Sequence, residues 1–485
     1  MATQTFYIGS DSAPFSTSIN GKNVTIELLW GDSVRVDGTL PSSGTVAASA
    51  RSRLGTIDVS HLNGESLLEF YFIDVGQGDG ILIRTPDNRH ILIDGGYNRA
   101  KQPSGKNAAD FVDWKFKKEY GQSEIVLDAM IASHNDADHY GGLWDLLNPA
   151  EKAELKVNAV KVKAFFHAGV GWWKKPGTAR SLGPKQDAFL TLLHEDRASL
   201  ETALASPSWT PQGEWRSFIE CLIAATPRIN TIQRLSHVTG HVPGFAPAAG
   251  KASIKVLGPV EFELPDGRPG LPSLGGDSQN TNGNSVLLRV DYGTARILLT
   301  GDLNAAAQRV LLDQYRGERQ EFAADVAKAC HHGSDDCSLD FLSAIGAAAT
   351  VISSGDNETH SHPRPAIVAA SAVTGHRQID NDRLVTPLVY STEISRSVRM
   401  ARVEKVTAAG EKVLGPDSTA TIDYAEVRSG TIRPEKGTRP WKDTLAVVGI
   451  VYGLVNVRTD GRKILCATMK EGEAAWDIRS FESRF

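Results

Sequence analysis

Long apolar runs, paired cysteines and a basic excess are all missing from these 485 residues, and each absence removes a class of function. No stretch approaches the roughly 20 apolar residues that a helix needs to span a bilayer, so no membrane partner is expected. Met1-Ala-Thr-Gln has neither a basic start nor an apolar core, so no secretory signal is read there. The four cysteines, Cys221, Cys330, Cys337 and Cys466, show no paired spacing, which points to a reduced, cytoplasmic setting and not to a disulfide scaffold. With a formal net charge of −5, the chain does not coat nucleic acid by bulk electrostatics, because non-specific binding rests on Lys and Arg against phosphate. No internal repeat or low-complexity tract stands out. The composition, 41% hydrophobic and 22% charged, is that of an ordinary globular protein long enough for two or three domains.

What the chain does have is concentrated chemistry. In Ile131-Ala-Ser-His-Asn-Asp-Ala-Asp-His-Tyr-Gly-Gly142, four metal-ligating side chains, His134, Asp136, Asp138 and His139, fall within six residues directly after a β-prone apolar run. Residues 143–147 read as the first turns of a helix, so the ligands sit on a strand-to-helix turn. While the turn stays extended, His134 and Asp136 project to one side, and Asp138 and His139 fall near the helix start. One pair for each of two ions suits metals about 3.5–4 Å apart. A capped turn accounts for one such residue, not for four. Imidazole favours zinc, copper, iron or nickel and carboxylate favours magnesium or manganese, so the mixture leaves the metal open.

Three further segments end an apolar strand on a polar ligand. Residues 286–300 read as a hairpin turning at Asp291-Tyr-Gly-Thr and running into Gly301-Asp302, which places Asp302 at a strand end, suited to bridging two cations. Residues 326–330 run into His331-His332-Gly333-Ser334, and residues 347–353 precede Asp356, His360 and His362. Of the 13 histidines, six fall in three tight pairs (His134 with His139, His331 with His332, His360 with His362), which moves the group toward ligation. Upstream, two strands frame Gly76-Gln77-Gly78-Asp79, and a third ends at Asp94-Gly95-Gly96. Asp79 and Asp94 are assigned behind the ligands, where a carboxylate orients a histidine; for Asp94, satisfying its own turn is the competing role.

These residues resemble the metallo-β-lactamase superfamily, and within it the branch typified by the soluble domain of the ComEC-type competence DNA-uptake proteins. The matching segments are Phe72-Ile-Asp-Val-Gly-Gln-Gly-Asp79, Ile93-Asp-Gly-Gly96, residues 133–139 with Gly141-Gly142, Asn284-Ser285, Leu299-Thr-Gly-Asp302, His331-His-Gly-Ser334 and His362-Pro363. They run in the family's order over roughly residues 68 to 370. The resemblance implies an α/β fold, an αββα sandwich with a dinuclear site at one edge of two sheets, and hydrolysis by water activated between two divalent metal ions, Zn or Mn. It implies His134, Asp136, Asp138 and His139 as ligands, Asp302 as the bridge, His331 or His332 as a further ligand, and His362 as a ligand or transition-state donor. Catalytic roles are assigned to Asp138, His332 and His362. Asp136 stands where most members carry a second histidine, and Asn282 and Asn284 stand where a histidine precedes the Asp302 strand; the ComEC-type branch shares both features. An oxygen-richer site makes manganese a live option beside zinc.

Such a site suits phosphodiesters, whose transition state gathers charge on non-bridging oxygens. The expected activity is a metal-dependent phosphodiesterase, a nuclease, with nucleic acid or a nucleotide as substrate. Alternatives are a hydrolase of a small ester, nucleotide or phosphorylated headgroup, or a partner-regulated effector of the same fold. Residues 1–65 are expected to form a small SH3-like β-barrel, 66–390 the catalytic domain with an insertion at about 168–250, and 391–485 a β-rich C-terminal domain. The flanking β regions are candidates for a protein partner. Trp172-Trp173-Lys174-Lys175, with Arg180 and Lys185, sits in the insertion and has two readings: a stacking and backbone-tracking surface for single strands, or tryptophans packing the insertion with solvated lysines. Cys330 and Cys337 flank the histidine pair and are read as buried free thiols before metal ligands.

Overall fold

The computed structural model describes residues 2–102, 105–225, 228–355, 361–393, 397–408, 411–415, 417–425, 436–451, 453–469 and 475–485. His360, Asp356 and Asn357 lie outside the described residues.

Two mixed sheets stack face to face. The first has the strand order Glu124–Leu127, Ala159–His167, Ala129–Ala132, His90–Ile93, Ile81–Arg84, Leu68–Ile73, Leu454–Thr459, Lys463–Met469, Trp476–Glu482, with Ile229–Arg234 also pairing to Ala159–His167. The second runs Ser253–Gly258, Leu287–Tyr292, Ala295–Leu299, Val326–Lys328, Ala349–Ile352, Leu388–Ser391. Side chains alternate along a strand, so a strand buried on both faces feeds two cores. Phe70 and Phe72 enter the cluster between the sheets with Ile297, Leu299 and Val351, while Tyr71 and Ile73 face the outer helices. The helices Ala108–Trp114, Ala137–Leu147 and Gly213–Ala224 cover the first sheet, and Ala305–Gln314 and Leu339–Ile345 cover the second. This is the αββα sandwich.

The expected domain boundaries are corrected in two places. Residues 391–485 are not a separate domain throughout: Leu454–Thr459 pairs antiparallel with Leu68–Ile73, and two more strands continue that sheet. Their apolar alternation, with Val455, Val457, Ile464 and Cys466 buried between the sheets, is core patterning. The segment 168–250 is likewise not wholly an insertion, because Ile229–Arg234 lies in the first sheet and Gly213–Ala224 packs Trp215, Phe218 and Leu222 into its helix-side core. Residues 3–58 form a six-stranded antiparallel sheet around Phe15, Leu28, Val34 and Val36. It is tied to the catalytic body by Arg458, fully buried, whose Nη1 donates to the Trp30 carbonyl and lies 2.8 Å from Asp32.

A candidate dinuclear metal centre

The chemistry gathers where strands of both sheets end. His90–Ile93 and Ala129–Ala132 run parallel and deliver Asp94 and then Ser133 and His134. Across the sandwich Ala295–Leu299, Val326–Lys328 and Ala349–Ile352 also run parallel and deliver Asp302, the His331-His332 pair and Ser353. Carboxyl ends of parallel strands are the usual place for a ligand crevice in open α/β sheets.

The helix Ala137–Leu147 begins earlier than the glycines suggested, so Gly141 and Gly142 lie inside it. Their reason is close approach. A Cβ on Gly141 would sit 2.1 Å from the Asn98 nitrogen, and one on Gly142 would sit 2.2 Å from the Gly95 oxygen. Without side chains there, the helix lies on the Gly95–Asn98 backbone and brings His139 to Asp94. Asp136 occupies the N-cap but makes no side-chain cap hydrogen bond; its carboxylate instead lies 3.9 Å from His134 Nε2. The capped-turn reading therefore fails at the residue where it was strongest.

Three imidazoles are held in one tautomer each. Ser133 Oγ donates to Asp94 Oδ2 (2.6 Å) and Ser285 Oγ donates to the Asn282 carbonyl (2.7 Å), so both hydroxyls face His134 Nδ1, at 3.0 and 3.3 Å, as acceptors. His139 Nδ1 meets Asp94 Oδ2 at 2.8 Å, and His332 Nδ1 meets the Ser353 carbonyl at 3.1 Å. With the proton fixed on each Nδ1, each Nε2 lone pair is turned to the interior. All three converge on one atom, Asp302 Oδ2, at 4.0 Å from His134, 3.3 Å from His139 and 3.0 Å from His332. Asp138 Oδ2 lies 3.8 Å from His332 Nε2 and receives Gln77 Nε2 at 3.3 Å. Among the described residues, Asp79, His139, Asp302 and His332 form a fully buried group whose ligand atoms lie within 4.8 Å of one another.

The site is built for cations. Five carboxylates, Asp79, Asp94, Asp136, Asp138 and Asp302, face one ammonium, Lys328, and unpaired buried charge of one sign costs several kcal/mol per ion. The buried Nε2 of His134 has no hydrogen-bond partner, and the Nε2 atoms of His139 and His332 stand 3.3 Å apart. That donor set fits divalent cations, which His134, Asp136, Asp138, His139, Asp302 and His332 would hold. The titrations carry the same demand for positive charge. Burial opposes charge on His332, yet Asp302 and Asp79 push it up to about 10. Burial raises the Asp302 carboxyl, but His332, His139 and Lys328 outweigh it and hold it well below the usual range. Burial, then the Asp138 carboxylate, pushes Asp136 up to about 7, and burial with His139 beside it keeps His134 neutral, the form that ligates.

His332 is thus the member of the pair inside the cluster. His331, partly exposed, points Nε2 at Asn282 Nδ2 (3.2 Å) and stands 3.9 Å from Asp302. His362 stacks around this rim, its ring 5.6 Å from that of His331 and 6.4 Å from that of His332. Asp94 stands behind His139, against its Nδ1. Asp79, expected behind the ligands, instead belongs to the buried group of candidate ligand atoms, with its Oδ2 bound to Lys328 at 2.5 Å and its Oδ1 3.4 Å from His332 Nδ1. Backbone strain marks the site, with Asp94 (φ 56°), His331 (φ 45°) and His332 (φ 53°) all left-handed, each at a cost of about 1–3 kcal/mol. The cysteines are free; Cys330 is buried and hydrogen-bonded to Cys337, outside the ligand cluster.

Lys328 and Asn282 were missed as site residues. Lys328 is 1% exposed and holds the Gly301 carbonyl (2.7 Å), Asp79 and Asp302 Oδ1 (3.3 Å) together. The signal was a lysine inside a three-residue strand otherwise too apolar to tolerate one.

Two helix-covered sheets with a carboxylate and imidazole cage at their common end define a metal-dependent hydrolase. The chain belongs to the Metallo-beta-lactamase superfamily, whose family model matches residues 73–347, more than half its length. It is similar to the Competence protein ComA of Neisseria gonorrhoeae, 37% identical over 87 residues, which is 18% of this chain and 12% of that protein. It is also similar to Uncharacterized protein YcaI of Escherichia coli (strain K12), 27% identical over 134 residues, 27% of this chain and 17% of the relative. The matched stretches span less than a fifth of either curated relative. Among solved structures, the metallo-beta-lactamase fold protein YhfI from Bacillus subtilis aligns over 67% of this chain and 97% of its own, at 11% identity and a TM-score of 0.31. A diphosphatase of the PhnP family aligns over 67% and 94%, at 10% identity and a TM-score of 0.29. No helix among the described residues is long and apolar enough to cross a membrane.

Proposed function

We propose that this hydrolase is a metal-dependent phosphodiesterase acting on nucleic acid. The observation that carries the reading is the convergence of three tautomer-fixed Nε2 atoms on Asp302 Oδ2, flanked by Asp136 and Asp138. Two divalent ions held there would lower the pKa of a water toward neutrality and stabilise charge on the attacking and leaving oxygens of an in-line displacement. Asp94, Ser133, Ser285 and Ser353 lock the imidazoles so that little reorganisation accompanies reaction. Lys328 engages Oδ1 of Asp302 and leaves Oδ2 facing the three imidazoles, where it would help hold the ions. His331 and His362, on the exposed rim, are placed to meet substrate and to hand a proton to the leaving oxygen, while Asp138 accepts the proton of the attacking water. The oxygen-rich donor set supports manganese beside zinc, and the similarity to a protein named for competence, in line with the ComEC-type resemblance, supports a polymer substrate.

The test is incubation of metal-loaded protein with single-stranded DNA, RNA, plasmid and bis-para-nitrophenyl phosphate. Polymer cleavage is the expected result. Turnover of the small diester alone would replace this reading with that of a small-substrate hydrolase, and inactivity toward all four would end it.

A further inference from the structure

The segment between the helices Ala137–Leu147 and Gly213–Ala224 reaches the metal centre through one side chain. Trp172, half-buried, brings its side chain beside the Asp136 carboxylate. Its neighbour Trp173 is the anchor: buried, stacked on His194 at 4.4 Å, and paired through its backbone to Ser181 in both directions, at 2.8 and 2.9 Å. This closes residues 174–180 into a protruding hairpin tip whose exposed cations are Lys174, Lys175 and Arg180. None of the three forms an ion pair among the described residues, whereas the buried Arg84, Arg99 and Arg234 are each paired with a carboxylate. Arg180 lies flat over the Trp172 ring, its guanidinium carbon 4.1 Å from the centroid. Both tryptophans pack this segment, and Trp172, set against two apolar clusters, also carries the Arg180 cation beside Asp136.

We infer that Trp172 and Arg180 form the subsite for the strand flanking the scissile bond, with single-stranded nucleic acid as ligand. Arg180 takes a neighbouring phosphate, and Lys174 and Lys175 track the backbone beyond it. The inference rests on the phosphodiesterase reading. A net-negative chain repels a polyanion, so an unneutralised basic projection near the site answers a specific need. A stacked guanidinium is pre-oriented, its fork free for two phosphate oxygens. Ring face and fixed cation together are the means by which sequence-tolerant single-strand binders hold a chain.

The experiment compares wild type, Arg180→Ala and Arg180→Lys, each loaded with manganese, on oligodeoxythymidylate and on bis-para-nitrophenyl phosphate, with anisotropy titration of the labelled oligomer over a range of salt. For Arg180→Ala, kcat/KM on the oligomer is expected to fall about tenfold more than on the small diester, through KM, and the slope of log affinity on log salt to shrink by about 1. Arg180→Lys is expected to keep the salt slope and lose part of the affinity. Equal losses on both substrates, or oligomer affinity and salt slope unchanged by Arg180→Ala, would overturn the subsite. If wild type binds the oligomer through Arg180 without cleaving it, the subsite stands and the nuclease reading falls. Absence of oligomer binding by wild type overturns the subsite outright.

Discussion

His139 Nδ1 and Asp94 Oδ2 lie 2.8 Å apart although 45 residues separate them, and the same carboxylate holds the Ser133 hydroxyl and, through Oδ1, its backbone N–H. One buried aspartate thus sets the tautomer of one ligand directly and of its neighbour His134 through a serine. Asp94→Asn keeps the shape and removes the acceptor strength. Metal affinity is expected to fall by about 10- to 100-fold, read by competition with a chromophoric chelator, with little change in melting of the metal-free protein. Unaltered affinity would show that Asp94 serves only its own turn.

Metal content separates the two halves of the cage. Wild type purified without chelator is expected to carry two divalent ions per chain by elemental analysis. His134→Ala is expected to retain one, and Asp302→Ala neither. Both variants are expected to lose at least about a thousandfold in kcat on any substrate turned over, because the two ions act on the same displacement.

Lys328→Met leaves Asp79 and Asp302 facing each other across a site with no fixed cation. Breaking a buried pair from one side costs about 3–5 kcal/mol, and urea unfolding of metal-free protein is expected to show a loss of that order. Added manganese is expected to recover part of it by supplying the missing positive charge.

Gly142→Ala places a methyl where the Gly95 carbonyl stands, with 2.2 Å between them. Lifting the helix off that backbone is expected to cost about 1–3 kcal/mol, and also to lower metal affinity, since His139 rides on the helix and Asp94 on the loop. A purely structural glycine would give the first effect without the second.

Histidine 90 links stability to pH away from the site. Burial, with Arg84 adding to it, lowers His90 to about 4, and its Nε2 has no partner while its ring lies 4.7 Å from Phe116 and 5.3 Å from Tyr120. A depressed imidazole binds protons in the unfolded chain first, so its contribution is intact above about 6.5 and fades as pH falls toward about 4. Between about pH 7.5 and about pH 5, His90→Phe is expected to lose about 2 kcal/mol less stability than wild type, measured by denaturant unfolding at both values.

The ligands were legible because each is announced by local grammar: an apolar strand, then His134, Asp302 or His331-His332 at its end. Local grammar does not reach across the sandwich. That His332 and not His331 enters the cage follows from two left-handed residues and a hydrogen bond to Ser353, none of which a pattern of letters encodes. Lys328 looked like a breach in a strand because its partners, Asp79 and Asp302, arrive from loops about 249 and 26 positions away. The C-terminal strands carry the alternation of any half-buried sheet, and nothing in Val455 or Val457 names Leu68–Ile73 as the neighbour they pair with. Asp136 and Asp138 stand out as candidate ligands from density alone, whereas the approach of Trp172 to Asp136 depends on a hairpin closed by Ser181.

The pairing of Leu454–Thr459 with Leu68–Ile73 also orders events in time. On the ribosome, the strand that leads into Asp79 emerges hundreds of residues before its neighbour and waits with one row of amides and carbonyls open. Contacts of such sequence separation form late, and an open apolar edge recruits foreign strands in the meantime. Maturation of this hydrolase therefore waits on Leu454–Thr459, and removing that strand would trade an enzyme for an aggregate.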